Sequence, residues 1–304
     1  MIYPPLKMVC AKYVVKRSFD RQLVPVNVLS FSPNGDSLAT SFQYSGVTRL
    51  WDTQNFELVR TCSGHTSSII DVAFDDDDVL ITSSNDGTAR VWTKGRDVEI
   101  TLKHTSPLRF AAVRDDALVT HSCDAVHWWN HRTGVLIRAM PTHPNTLLFA
   151  FGRTKMVCVA RYERVIRVLD VDAGDVLRSI DVDITGDMYR LVLSEDERRV
   201  VIACVHVEDN GTTLVEVNIE TGSQTSFATG SSVDCVALST DGTSMVVTGQ
   251  NGVVKVWDVA SRAVVADLPP HPSRVCCLAM WNDAKIATSE YGNACVRVFD
   301  MRCV

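Results

Sequence analysis

Positive charge is not in excess in this chain: 30 Lys and Arg stand against 36 Asp and Glu over 304 residues, for a net charge of −6 and a pI near 5.7. A general nucleic-acid binder needs a basic face to collect phosphates, so that class is disfavoured and nucleic acid is not expected as a partner. Aromatic residues amount to only 7%, too few to build a core and also a stacking platform for single strands. No stretch approaches the roughly 18 apolar residues of a membrane span. The opening MIYPPLKMVCAKYVVKRSF has no uninterrupted apolar core of signal-peptide length. Together these predict no membrane insertion and a cytoplasmic or nuclear location. There are ten cysteines, but no two are spaced Cys-x-x-Cys, so zinc lacks its usual anchor. Cys158, Cys204, Cys235, Cys276 and Cys277 lie inside apolar strands and read as small, reduced core residues. Walker loops and dinucleotide fingerprints are missing too, so neither a metal nor a cofactor is expected.

What is present is a repeat. An apolar strand closing on Trp-Asp, or a degraded form of it, recurs as TRLWD at Asp52, ARVWT at Thr93, HWWN at Asn130, IRVLD at Asp170, VEVN at Asn218, VKVWD at Asp258 and VRVFD at Asp300. The aromatic position or its substitute (Trp51, Trp92, Trp129, Leu169, Val217, Trp257, Phe299) advances by 37 to 48 residues. A period of roughly 40 to 45 belongs to the four-stranded blade of a β-propeller. Each repeat begins with a strand such as VNVLSFS from Val26 or VDCVALS from Val233, turns at Gly, Asn or Asp, and returns as SLATSF or SMVVTG. The Trp-Asp strand is third, and a fourth, more charged strand follows. Several strands are apolar on both faces, as in Val200–Val205, and so need cover on both sides, which radial stacking of blades supplies.

The seventh repeat reaches Asp300 without a fourth strand of its own, while a spare strand, about residues 12–19, precedes the first. The expectation is an all-β, seven-bladed propeller of four-stranded antiparallel blades. Residues 1–304 would form a single domain, with the N-terminal strand completing blade seven and removing open sheet edges.

On these residues the chain resembles the WD-repeat family of propellers. The strongest match is repeat two, Gly64-His65 followed by LITSSNDGTARVW ending at Trp92. The resemblance implies a buried hydrogen-bonded network of His65, Thr82, Asp86 and Trp92, and another of His104, Thr120, Asp124 and Trp129. His143 and His271 occupy the family's His position without the matching hairpin Asp, and repeats one, five and six lack the His. The two His–Asp pairs also resemble halves of a catalytic triad, but they recur at one blade position with no in-phase nucleophile. No catalytic residue is therefore assigned. The run Asp75–Asp78 reads as a solvated acidic hairpin rather than a calcium site, and His131 as a residue of a polar turn whose loss costs little.

The resemblance further implies docking on the face made by fourth-to-first-strand links and second-to-third-strand hairpins. Alignment on repeat two places Asn27, Ser68, Arg109, Tyr189, Asp234 and Arg274 there, with Arg161 and Glu290 on matching hairpins. The fifth repeat carries an insert, VHVEDNGTT, whose Asp209 and Asn210 are added as partner-contact candidates because Asn-Gly favours a projecting hairpin. The expected function is a non-catalytic scaffold that binds proteins or peptides, as a monomer within a hetero-complex. A propeller enzyme with a pocket over the channel is the alternative, and an RNA-binding propeller a weaker one.

Overall fold

The computed structural model describes residues 13–16, 25–75, 79–93, 98–114, 117–142, 146–160, 163–184, 186–205, 211–229, 232–281, 285–291 and 295–301. Within them the fold is all-β: seven sheets, each of four antiparallel strands, arranged as a propeller. In blades 1 to 6 the strands run in sequence order, as in blade 2, where Ile69–Phe74, Val79–Ser84, Thr88–Thr93 and Val98–Lys103 are neighbours in turn. Blade 7 takes Val275–Trp281, Lys285–Glu290 and Val296–Asp300, and its fourth strand is Tyr13–Lys16. The register of that last pairing is Tyr13 opposite Phe299 through Lys16 opposite Val296. The spare strand expected over 12–19 thus closes the ring, although residues 12 and 17–19 lie outside the described residues.

Second strands are buried along almost their whole length, as in Val79–Ser84 and Lys155–Ala160. The reason is visible in the packing, because the apolar clusters sit between blades rather than inside them. Leu80 and Trp92 of blade 2 pack on Val28, Ala39 and Cys62 of blade 1. Ile81 and Val91, on the opposite face of blade 2, pack on Leu108, Leu118 and Trp129 of blade 3. The same arrangement repeats at every junction, and the last one joins Val26, Leu29 and Phe31 of blade 1 to Cys277 and Val298 of blade 7. A sheet that must satisfy two neighbours loses the in-out alternation of a half-wet strand. That is why these sequences read apolar on both faces.

First strands of adjacent blades pack together around the channel. Fourth strands lie outermost, and they are less polar than expected: Leu58, Val59, Val135, Leu136, Ile137, Val176 and Leu177 are all exposed there.

The turns on the far face also tie blade to blade. The Glu197 carboxylate of blade 5 accepts from the Thr154 amide of blade 4 at 2.7 Å. Trp281 Nε1 of blade 7 donates to Pro33 O of blade 1 at 2.8 Å, and Lys285 Nζ to Gly35 O at 3.0 Å. Gly35 has a φ of 72°, and a Cβ there would sit 2.3 Å from the Trp281 ring. Both the left-handed backbone and the close approach require glycine at that seam.

Two expectations about this face are corrected. His131 is buried, with Nε2 2.8 Å from Asp75 Oδ2, so a turn residue of blade 3 meets a turn residue of blade 2. Asp75 is correspondingly not a solvated hairpin residue; its side chain is only 8% exposed. The remainder of that acidic run, 76–78, lies outside the described residues.

Candidate functional site

In blade 2 the hydrogen bonds form a closed relay. Trp92 Nε1 donates to Thr82 Oγ1 at 2.9 Å, and Thr82 Oγ1 lies 2.8 Å from His65 Nε2. His65 Nδ1 lies 2.9 Å from Asp86 Oδ2, which also accepts from the Thr66 amide at 3.0 Å. The ionised Asp86 carboxylate can only accept, which places the proton of the neutral imidazole on Nδ1 and leaves Nε2 to accept from the Thr82 hydroxyl. Burial keeps the His65 pKa below its ordinary value despite that carboxylate. Burial alone would raise Asp86, but Thr88, the Thr66 amide and His65 together bring it down to about 2. With both ring nitrogens of His65 occupied, neither is available as a base toward a substrate.

Blade 3 departs from the expected set. Trp129 Nε1 donates to Thr120 Oγ1 at 2.9 Å, and His104 Nε2 lies 2.8 Å from the same oxygen. Asp124 turns instead to Ser122, Ser106 and Thr105, and His104 Nδ1 has no hydrogen bond among the described residues. The His127 ring stands edge-on to His104 at 5.0 Å. Burial and then the neighbouring His127 push His104 down to about 4.

Blade 7 holds a buried His–acid contact that the sequence reading missed. His271 Nε2 lies 2.7 Å from Thr288 Oγ1, and Nδ1 lies 3.4 Å from Glu290 Oε2. The acid comes from the end of the second strand instead of the hairpin, so a search for the hairpin Asp passes over it. Glu290 is consequently buried at 3% exposure and is not a rim residue of the docking face. Blade 1 keeps a reduced version without histidine, with Trp51 Nε1 donating to Thr40 Oγ1 at 2.9 Å.

The candidate face is organised by a feature common to all seven inner strands. Each carries a β-bulge at the same register, at Asn27, Ile70, Arg109, Leu147, Tyr189, Asp234 and Cys276. A bulge leaves one residue unpaired and re-aims its side chain. Four of these side chains reach across to the first residue of the next blade's inner strand. Asn27 Nδ2 donates to Ile69 O at 2.7 Å, Arg109 Nη1 to Thr146 O at 3.3 Å, Tyr189 Oη to Val233 O at 2.6 Å, and Cys276 Sγ to Val26 O at 3.1 Å. Asp234 has no proton to donate, and its Oδ1 instead receives Arg274 Nη2 of blade 7 at 2.7 Å.

Of the expected face residues, Asn27, Arg109, Tyr189 and Asp234 occupy bulges. Ser68 and Arg274 precede their strands by one residue, and the bulges of those blades are Ile70 and Cys276. Asp234 is buried, contrary to the rim position expected, while Arg109 and Arg274 are exposed. Arg161, Asp209 and Asn210 lie outside the described residues, as does most of the insert. Arg190 was not anticipated; its Nε donates to Asp234 O at 3.1 Å. Tyr189, Arg190, Ser232, Asp234, Gln250 and Arg274 line a cleft of about 450 Å³ at this end of the channel. At its floor Asp234 Oδ2 is buried and takes no hydrogen bond from the described residues. Burial raises the Asp234 carboxyl above its ordinary range against the pull of Arg274. A second cavity of about 660 Å³, lined by Phe151, Arg153, Leu193, Glu195 and Thr240 among others, opens at the opposite end.

The family model described as "WD domain, G-beta repeat" matches residues 15–52, 56–93 and 222–258, three in-phase segments that each run from the fourth strand of one blade through the first three strands of the next, ending in blades 1, 2 and 6. This chain is a WD-repeat propeller. The other four blades complete the same seven-fold plan with sequences too far from the family model to match it. Among curated proteins, the WD-repeat chain is similar to the histone-binding protein MSI1 of Saccharomyces cerevisiae, 36% identical over 70 residues that cover 22% of this chain and 17% of MSI1. The COMPASS component SWD3 of the same yeast is 29% identical over 89 residues, 29% of this chain and 28% of SWD3. The pre-rRNA-processing protein IPI3 of Yarrowia lipolytica is 22% identical over 266 residues, 82% of this chain and 56% of IPI3. The chain therefore spans from a sixth to little more than half of these relatives.

Proposed function

We propose that this WD-repeat propeller is a non-catalytic docking platform, and that protein partners bind across the face bearing the seven bulges. The observation that carries this reading is the cleft between blades 5 and 7, where exposed Arg274 and half-buried Tyr189 border the unsatisfied Asp234 Oδ2. Arg and Tyr are the types that dominate interface energetics, because each joins a large contact area to directional hydrogen bonds. His65 spends both ring nitrogens on the scaffold, and His104 and His271 each spend Nε2 on a blade threonine, which favours docking over catalysis. The printed names of two relatives, histone-binding MSI1 and COMPASS component SWD3, agree with a role in protein assemblies. A cytoplasmic or nuclear setting accompanies the proposal; among the described residues no helix is long and apolar enough to cross a membrane.

The test is quantitative pull-down from native extract with three folded variants, Arg109→Glu, Arg274→Gln and, on the opposite face, the exposed Arg262→Glu. Arg274→Gln is used because a carboxylate placed beside buried Asp234 would disturb the fold itself. Recovery of partners should fall several-fold for the first two and stay unchanged for the third. Equal recovery by all three would place binding elsewhere.

A further inference from the structure

At the junction of blades 6, 7 and 1 the channel mouth carries sulfur that the docking reading does not use. Cys276 and Cys277 are neighbours in sequence, and in a regular strand their side chains would point to opposite faces. The bulge at Cys276 removes that separation. Both thiols converge on one acceptor, Val26 O, at 3.1 Å from Cys276 and 3.4 Å from Cys277. A third thiol, Cys235, donates to Cys276 O at 3.3 Å, with the Arg190 guanidinium 3.9 Å from its sulfur. Cys277 and Cys235 are buried, whereas Cys276 is part-exposed. The exposed guanidinium of Arg274 precedes the pair by two residues.

We propose that Cys276 and Cys277 form a hydroperoxide-sensitive dithiol, oxidised to a disulfide between adjacent residues. Cys276 is the attacking thiol, since it is the accessible one of the pair. The Cys277 hydrogen bond lowers the Cys276 pKa against burial, and Arg274 adds to that, while burial holds Cys277 well above the ordinary thiol value. Cys62 and Cys158 are pushed up to about 11 and Cys204 to about 12 by burial, as inert core thiols should be. In the first step the Cys276 sulfur attacks the terminal oxygen of a hydroperoxide, ROOH. The O–O bond breaks, an S–O bond forms, and the thiol proton leaves with the alcohol ROH, giving a sulfenic acid on Cys276. In the second step the Cys277 sulfur attacks that sulfur, an S–S bond forms, and hydroxide leaves with the Cys277 proton as water. Two electrons pass from the two thiols to one hydroperoxide, so no other reagent is needed.

Adjacent Cα atoms are about 3.8 Å apart, closer than the roughly 4.4 to 6.8 Å of an ordinary disulfide. The bond is therefore strained and easily reduced, as a reversible mark must be. Its formation would also withdraw both thiols from Val26 O and so alter the seam between blades 7 and 1. This chemistry stands whether or not the neighbouring face docks proteins.

The experiment uses the full chain and hydrogen peroxide. Trypsin cleaves after Arg274 and Lys285, releasing VCCLAMWNDAK, which holds both cysteines and no other. In the untreated native protein Cys276 should alkylate at least about tenfold faster than Cys158 or Cys204. After peroxide the peptide should be lighter by two hydrogens and closed to alkylation, and dithiothreitol should restore both thiols. In Cys277→Ala, dimedone should trap the sulfenic acid on Cys276. Alkylation of Cys276 as slow as that of Cys158, two free thiols after peroxide, or a disulfide joining Cys276 to Cys235 would each overturn the proposal.

Discussion

His131 Nε2 stands 2.8 Å from Asp75 Oδ2, joining a third-to-fourth-strand turn of blade 3 to a first-to-second-strand turn of blade 2 with both side chains buried. Removing the imidazole leaves a buried carboxylate without its partner. His131→Ala should therefore cost about 1 to 3 kcal/mol, against nearly nothing for an exposed turn residue. Urea denaturation of His131→Ala, Asp75→Asn and the double variant checks this, with a coupling energy above about 0.5 kcal/mol expected for groups in contact. Additive losses would show that the pair is not a pair.

Thr82→Val keeps shape and removes the oxygen shared by Trp92 Nε1 and His65 Nε2. Each orphaned buried group costs about 1 to 3 kcal/mol. Thr288→Val in blade 7 orphans His271 alone, because Phe299 stands where blade 2 has its indole. The blade 2 variant should lose about twice as much stability as the blade 7 variant in matched denaturant melts, and the reverse order would contradict the relay.

Stability should fall as pH drops from about 6.5 to 4. Burial holds His104, His121 and His271 down to about 4, so in that window the unfolded chain binds protons that the native state refuses. Their contribution is complete above the unfolded His pKa and is lost as pH descends through about 4. Asp71 opposes them: burial raises it to about 6, so its contribution is present at low pH and is lost as pH rises toward 6. Asp234, which burial also raises, acts in the same sense as Asp71, but the three histidines outweigh the two carboxyls and the net slope is positive with pH. Melting temperatures measured across this range should rise from pH 4 to 6.5; a flat profile would mean that the histidines titrate normally.

Deleting residues 1–20 removes Tyr13–Lys16, the fourth strand of blade 7, and uncovers the edge of Val296–Asp300. The expected result is a lower melting temperature together with concentration-dependent self-association through that edge. Sedimentation of the truncated chain as an unchanged monomer with an unchanged melting temperature would argue against closure by this strand.

The ring was legible because its signal is local and repeated: a Trp-Asp strand, a Gly or Asn turn and an apolar second strand fall in phase within single repeats. What stayed hidden arises between repeats. The burial of His131 depends on Asp75, one blade away, and no count within blade 3 reveals it. Glu290 was misplaced because its position was judged by alignment with a hairpin, while its acid is buried beside His271 at the end of the second strand. The bulges were equally invisible. Each inner strand holds one extra residue, at Ile70 in blade 2 and Cys276 in blade 7 for instance, and a pattern of apolar residues does not reveal which residue is left unpaired.

The pairing of Tyr13–Lys16 with Val296–Asp300 has a further consequence for how the molecule is made. A strand that precedes every blade during synthesis must wait for the last one before it has a partner. Until then the apolar surface of Val26, Leu29 and Phe31 also lacks Cys277 and Val298, which cover it in the finished ring. Contacts this distant in sequence fold slowly and leave sticky intermediates. The architecture that closes the seam between blades 7 and 1 in the finished molecule thus keeps it open for the whole of translation, and the apolar surface on its blade 1 side stays uncovered for as long.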